Sequence, residues 1–258
     1  MQIYCKLVSM QVLEIIEGDC LKVLETFADN SVDHVITSPP YNIGRSTKTK
    51  SKQKAKYIGF KDNKKNYFDW SIKVIDELIR VSRGHVFYNV QANYYNKKDI
   101  YKLIGHYHKD IIQTFIWTKG HSSPGSEPGS ISNFYEYIFA FSNDTRIKSN
   151  NKFTTNTIHT PIGGRYPGFH AVMHQDISDF LLENFTQEKD LILDPFLGSG
   201  TTAISCKKNN RDFIGIELVK DYFDYSKERI EKVNNNSSTL EKFIWFSQNN
   251  IIFIIVKQ

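Results

Sequence analysis

Cysteine is nearly absent from this chain. Cys5, Cys20 and Cys206 are the only three in 258 residues. They lie far apart, with no C-x-x-C pair and no Cys/His spacing that would grip zinc, which excludes a disulfide framework and a structural metal site. A reducing, cytoplasmic setting with no bound metal is expected. Long apolar runs are missing as well: none reaches the roughly 20 residues that cross a bilayer, and the first residues lack the charged, apolar and small-residue order of a signal peptide. No membrane partner is expected, and no internal repeat is visible. Acids are scarce in one place only. The whole chain carries 33 Lys and Arg against 28 Asp and Glu. Residues 45–65, however, hold Arg45, Lys48, Lys50, Lys52, Lys54, Lys56, Lys61, Lys64 and Lys65 against the single acid Asp62. That is a local positive field suited to a polyanion.

The remainder reads as one globular domain, since 40% hydrophobic content over this length can bury a large core. Short strands at 11–17 and 32–37 flank the amphipathic stretch CLKVLETFADN. Apolar positions recur at helical spacing over 67–82 and about 93–107, on either side of the strand HVFYNV. IIQTFIW and YEYIFAF are two more strands, separated by a loop rich in Gly, Pro and Ser. Residues 142–168 are polar and irregular, the place for an insertion. Helical spacing returns at 175–185, followed by the strand LILDPF, a glycine turn, the helix TTAISCKKNN, the strand DFIGIE and a helix from about 220 to 233. Strands alternating with helices imply parallel pairing through right-handed crossovers, an α/β fold of three layers. The two strands joined without a helix supply an antiparallel member. Past Asn234 the pattern dissolves. The apolar end FIWFSQNNIIFIIVKQ is too short to span a membrane and either packs on the domain or stands as an appendage.

Two segments carry chemistry. TSPPYN, residues 37–42, ends a hydrophobic strand in two prolines, which cannot extend a sheet ladder. A hydroxyl, a phenol and an amide are thereby held on a rigid kink. ILDPFLGSGTTA, residues 192–203, places Gly198 and Gly200 between a strand and a helix, where glycine permits a sharp turn and close approach to a ligand. The pattern fits G-x-G-x-x-G/A, and Glu217 lies 19 residues after Gly198, near the usual position of an acid that holds ribose hydroxyls. A nicotinamide-dependent oxidoreductase is therefore one reading. Asp194 argues for another, because a carboxylate at the end of that strand repels a pyrophosphate but accepts from an ammonium, or from a water beside a sulfonium. That favours a cationic amino-acid nucleoside.

DPFLGSGTT together with TSPPYN resembles the amino-methyltransferase branch of the S-adenosylmethionine-dependent DNA methyltransferases. The order of the motifs, catalytic before cofactor, is similar to its permuted β group. The likeness runs from about 11 to 233. It implies the Rossmann-like class I methyltransferase fold, a three-layer sandwich around a mixed seven-stranded sheet with one antiparallel strand. In its terms residues 1–233 form a single catalytic domain with an inserted target-recognition segment at about 142–168 and a basic loop at 43–66, and residues 234–258 form a tail without assigned role. The cofactor would be S-adenosylmethionine. Asp194, Phe196, Gly198, Ser199, Gly200 and Thr201 would surround its methionine moiety and ribose, Glu217 would take the ribose hydroxyls, and Asp19 of GDC would face the adenine. From Phe169 to His174 the chain matches the family's segment before the following helix only in part, having Ala171 and His174 where prolines are usual.

The resemblance also implies how Ser38, Pro39, Pro40 and Tyr41 would act. An exocyclic base amine is a poor nucleophile because its lone pair is delocalised into the ring. Acceptors beside it, the Ser38 hydroxyl and the rigid Pro39 carbonyl, would take its N–H bonds and steady the developing positive charge. The base must first leave the duplex, at a few kcal/mol, and stacking on Tyr41 would return about 1–3 kcal/mol. In this family the first motif position is commonly Asp or Asn in adenine-N6 enzymes and often Ser in cytosine-N4 enzymes, so SPPY points to cytosine N4, with adenine N6 the alternative. The expected partner is double-stranded DNA, bound through phosphates by Arg45, Lys48, Lys50, Lys52, Lys54 and Lys56 and read by Arg165 and its neighbours. A cognate restriction endonuclease and either a monomeric or a homodimeric state are compatible. An RNA methyltransferase and a catalytically silent nucleic-acid-binding subunit remain open beside these readings.

Overall fold

A computed structural model describes residues 11–42, 64–120, 133–142, 147–160, 172–233, 241–247 and 250–257. In chain order its elements are β1 (Gln11–Glu17), α1 (Cys20–Leu24), β2 (His34–Thr37), α2 (Tyr67–Val81), β3 (Val86–Val90), α3 (Lys97–His106), β4 (Ile111–Lys119) and β5 (Tyr135–Phe141). They continue with β6 (Thr157–Thr160), α4 (Gln175–Phe185), β7 (Leu191–Asp194), α5 (Thr201–Lys208), β8 (Asp212–Glu217), α6 (Lys220–Glu231), β9 (Glu241–Ser247) and β10 (Asn250–Lys257).

The strands form one sheet in the order β10-β9-β1-β8-β7-β2-β3-β5-β4-β6. Its stretch from β1 to β4 is the expected set of seven: six strands run one way, five of them directly paired in parallel, and β5 is reversed, antiparallel to both β3 and β4. One expectation changes at the edge: the 142–168 segment is not wholly irregular, because β6 pairs parallel with β4. Of the two readings of the tail, its backbone takes the packed one, since β9 pairs parallel with β1 and β10 folds back antiparallel on β9. The first amphipathic stretch forms a short helix of five residues.

Successive residues of each strand feed opposite faces, as the period of two requires. Ile36 and Phe87 join Leu13, Ile177, Ile204 and Phe223 on the face covered by α4, α5 and α6. Val35, Val86 and Tyr88 join Leu24, Val74, Leu78 and Leu103 on the face covered by α1, α2 and α3. Each fully buried aliphatic side chain there contributes about 1.5–3 kcal/mol. The two free cysteines among the described residues, Cys20 and Cys206, are buried in this core. Burial first, then Asp19, pushes the Cys20 thiol up to about 12, so it behaves as a small apolar side chain. No helix among the described residues is long and apolar enough to cross a membrane.

The consequence for function is one edge. β1, β8, β7, β2 and β3 end on the same side of the sheet. Because β5 runs the other way, its first residues reach that side too, with Glu136 opposite Trp117 near the end of β4. Ligands of open α/β sheets sit outside the carboxyl ends of such strands.

Candidate active site at the carboxyl edge of the sheet

The proline kink and the glycine turn leave adjacent strands. β2 pairs with β7 through His34↔Ile192 and Val35↔Leu193. The last residue of β2, Thr37, donates from Oγ1 to Asp194 Oδ1 at 2.8 Å, and the Phe196 amide donates to the same oxygen at 3.1 Å. Asp194 is 3% exposed. Burial pushes its carboxyl up to about 6, while the Thr37 hydroxyl and the Phe196 amide pull it back down. A buried carboxylate without such donors would be costly. Asp194 thus ties the two motifs together, and the sequence reading missed Thr37 as its partner.

The glycine turn is closed from the next strand. Gly198 and Gly200 have φ of 52° and 78°, values at which a β-carbon is strained. A β-carbon on Gly200 would also lie 3.2 Å from Ser226 Cβ and 3.3 Å from Ile230, so this glycine lets α6 close on the turn. On Gly198 it would meet only the Phe196 carbonyl, in ordinary contact at 3.8 Å, so the side of this glycine is not crowded as that of Gly200 is. Glu217, at the end of β8, accepts from the Gly198 amide at 2.8 Å and the Val219 amide at 2.8 Å, while its carbonyl accepts from Gly18. Burial raises its carboxyl to about 7 against the pull of these amides. Ser199 and Thr201 turn inward instead: their hydroxyls lie 3.1 Å apart, and Arg229 of α6 donates to the Ser199 carbonyl at 2.7 Å. Asp19 caps α1, its Oδ1 accepting from the Leu21 and Lys22 amides.

The kink itself is held from several sides. The Pro40 carbonyl accepts from the Tyr67 hydroxyl at 2.9 Å, and the Tyr41 carbonyl accepts from Asn93 and Asn96 at 3.0 and 2.7 Å. No described residue donates to the Pro39 carbonyl. Ser38 is half-buried, and its hydroxyl lies 2.7 Å from the Tyr41 hydroxyl. That phenol donates to Glu136 Oε2 at 2.8 Å and accepts from Asn89 Nδ2 at 2.7 Å. The Lys119 ammonium bonds the other oxygen of Glu136. The Tyr41 ring is 8% exposed, so it is less an open platform than its place in the motif suggests. Asn89, Lys119 and Glu136 were not singled out in the sequence. The visible signal was one acid inside the apolar strand YEYIFAF.

An aromatic wall stands between the two motifs, with Trp70 of α2 edge-on to Phe196 at 5.7 Å and tilted against Tyr67 at 5.8 Å. His174 accepts from the Asp176 amide as the cap of α4, which gives this position a structural role. Asn42 Nδ2 donates to the Lys64 carbonyl at 3.2 Å, so the two described ends of the basic loop meet next to Tyr41. Arg45, Lys48, Lys50, Lys52, Lys54, Lys56 and Arg165 lie outside the described residues, as do Phe169 and Ala171.

Known proteins resemble this chain in sequence and in fold. The type II methyltransferase M.BglII of Bacillus subtilis is 25% identical over 293 residues, spanning 92% of this chain and 75% of that protein. The solved PvuII DNA methyltransferase, cytosine-N4-specific, shares the fold with a TM-score of 0.68 at 19% identity, over 89% of each chain. The M1.HpyAVI–SAM complex does so with a TM-score of 0.58 at 21% identity, over 84% of this chain and 100% of that one. Residues 32–228 match the model of the N6/N4 DNA methylase family. That match runs from the strand before the proline kink to the last helix packed on the glycine turn, and the chain belongs to this DNA methylase family.

Proposed function

We propose that the protein moves a methyl group from S-adenosylmethionine to the exocyclic N4 amine of a cytosine flipped out of duplex DNA. The observation that carries this reading is the Thr37–Asp194 hydrogen bond, which joins the acceptor kink to the glycine turn at one sheet edge. Both halves of a methyl transfer can then meet there. Serine at the first motif position supports cytosine over adenine N6, and the fold shared with a cytosine-N4 enzyme is compatible with it.

The residues present fit the cofactor. The uncrowded, left-handed turn at Gly198, two carboxyl groups at the ends of neighbouring strands and the Phe196–Trp70 wall offer a cradle, acceptors and an apolar face. Glu217 would hold the ribose hydroxyls, Asp194 would face the cationic methionine end, and the Gly198–Gly200 backbone would line the approach; Ser199 and Thr201 would contribute main chain rather than their inward hydroxyls. When bound, S-adenosylmethionine supplies a sulfonium methyl as the electrophile. Ser38 Oγ and the Pro39 carbonyl would accept the two N–H bonds of the amine and turn its lone pair outward, with the alignment of reactants supplying much of the rate. The surplus proton on the methylated nitrogen leaves to solvent. Stacking on Tyr41 would require the residues covering its ring to part as the base arrives.

We further assign residues 1–233 to one catalytic domain, with target reading from 142–168, where β6 adds a strand beside β4, and from Arg165. The lysines of the 43–66 loop would neutralise phosphates without regard to sequence; of the loop's flanks, Asn42 bonds the Lys64 carbonyl next to Tyr41. Changing Lys50, Lys52, Lys54 and Lys56 to Ala is expected to flatten the slope of log affinity against log salt by about 3–4, as the loss of four phosphate contacts requires; an unchanged slope removes the loop from the DNA face. A restriction endonuclease reading the same sequence, and a cytoplasmic site of action, go with this assignment. The reaction is tested by supplying labelled S-adenosylmethionine and duplex DNA and identifying the modified base by mass spectrometry. N4-methylcytosine is expected; N6-methyladenine overturns the choice of base.

A further inference from the structure

We propose that Lys119, Glu136 and Asn89 are positioning residues that commit the Ser38 proton to Tyr41, so that Ser38 presents only lone pairs to the target amine. The inference rests on the reading of Ser38 as the amine's acceptor and explains how a serine can fill that place. A serine hydroxyl is ambivalent, with one donor and two acceptor sites. If its proton faced the amine it would bond the lone pair that must attack, and the acceptor would become an inhibitor.

Counting protons around the cluster removes the ambiguity. Glu136 is 2% exposed, and one of its oxygens bonds the Lys119 ammonium. Its carboxylate can only accept, so the 2.8 Å contact with Tyr41 uses the phenol's single proton. The 2.7 Å contact between Ser38 and Tyr41 must then be donated by Ser38. Asn89 Nδ2 sends its N–H groups to Tyr41 at 2.7 Å and Glu136 at 2.8 Å, with Ser38 a weaker third contact at 3.4 Å. The Tyr41 oxygen is thereby saturated, with one bond donated and two accepted. The amide cannot be turned around, because its oxygen would then press on the Glu136 carboxylate. In the orientation present both N–H groups serve the cluster, while Asn89 Oδ1 is buried without a bonding partner among the described residues, a cost that the cluster offsets. Burial, and then the Glu136 charge, hold the Tyr41 phenol well above its ordinary range, so the relay keeps its proton.

All four supporting strands converge here by register. Ser38 follows β2, Asn89 lies in β3, Lys119 ends β4, and Glu136 sits at the start of the reversed β5. Without an antiparallel strand at this position the carboxylate would be delivered to the far edge.

The test is a double-mutant cycle on labelled-methyl transfer to duplex DNA. Glu136→Gln keeps the shape but allows an amide N–H to point at Tyr41, reversing the relay. It is expected to lower kcat about tenfold, leaving the KM for DNA and the calorimetric affinity for S-adenosylmethionine unchanged. In a Ser38→Ala background the same change is expected to cost nothing further, because there is no hydroxyl left to orient. Tyr41→Phe, which removes only the relay oxygen, gives a second cycle with the same expected coupling and serves if Glu136→Gln does not fold. Equal losses with and without Ser38 would make Glu136 a structural residue and overturn the inference, as would an unaltered kcat in Glu136→Gln. Failure of the underlying reading appears separately, as no methyl transfer to a base amine by the unaltered protein.

Discussion

Replacing Ser38 by alanine is expected to lower kcat for methyl transfer by about 10²–10³, with the affinity for S-adenosylmethionine held within about twofold. The size follows from the loss of one preorganised hydrogen-bond partner aimed at charge that develops only in the transition state. The loss is partial because the Pro39 carbonyl remains, and no described residue competes for it. It falls on kcat because the serine belongs to the amine's side of the site: the link to the glycine turn is made by its neighbour, Thr37. The substitution leaves the kink in place. Tyr41 keeps its bonds to Glu136 and Asn89, and the backbone of the motif stays clamped by Tyr67, Asn93 and Asn96. Single-turnover transfer at saturating cofactor and DNA isolates the chemical step, and binding calorimetry supplies the control. A kcat unchanged by Ser38→Ala would remove the hydroxyl from the reaction. Thr37→Val should behave in the opposite way: it withdraws a donor from the buried Asp194 carboxyl and is expected to weaken cofactor binding before it slows transfer.

Those contrasting effects come from residues one position apart, which shows how much of the site a linear reading can carry. The seven strands from β1 to β4 were legible because each is a short apolar run bounded by turn residues or by a helix of clear 3.6 periodicity, and α4 fell where its spacing placed it. The two motifs were legible because proline and glycine constrain the backbone by themselves. What lay beyond reach was contact made by register. Glu136 reads as one acid in an apolar strand until β5 is laid antiparallel between β3 and β4; only then does it face Asn89, Lys119 and Tyr41. β6 was hidden because the four residues TIHT bury a single aliphatic side chain, Ile158, giving no period to find. β9 was hidden because its partner, β1, is more than two hundred positions away in sequence and its own apolar run is unbroken rather than alternating. Asp19 carries a second signal that the resemblance passed over. An acid directly before a helix is a cap signature in its own right, and one oxygen of the Asp19 carboxylate accepts from two helix amides, beside the adenine contact that the resemblance implies.

Between pH 8 and pH 5.5 the affinity for S-adenosylmethionine is expected to fall by about a hundredfold, following the two buried carboxyls of the glycine turn. Glu217 is raised to about 7 and Asp194 to about 6, each chiefly by burial. A cationic sulfonium with ribose hydroxyls that donate prefers both in the ionised form. If the ligand requires that form, Glu217 alone weakens binding about thirtyfold at pH 5.5 and Asp194 a few-fold more. The stability of the ligand-free protein moves the other way. Carboxyls whose folded pKa lies above the unfolded value favour the fold fully below the ordinary carboxylate range, and that contribution is lost as pH rises through about 6 and 7. The rise in melting temperature caused by the cofactor should therefore grow with pH across this window. Glu217→Gln should remove the upper step and leave the lower one, and calorimetry in two buffers of different ionisation heat should register proton release on binding near pH 6.5 in the unaltered protein and less in the variant. A flat affinity profile would mean that neither carboxylate meets the cofactor. Glu217 would then act only as the acceptor that closes the glycine turn, and the ribose would have to be held from elsewhere along the same edge.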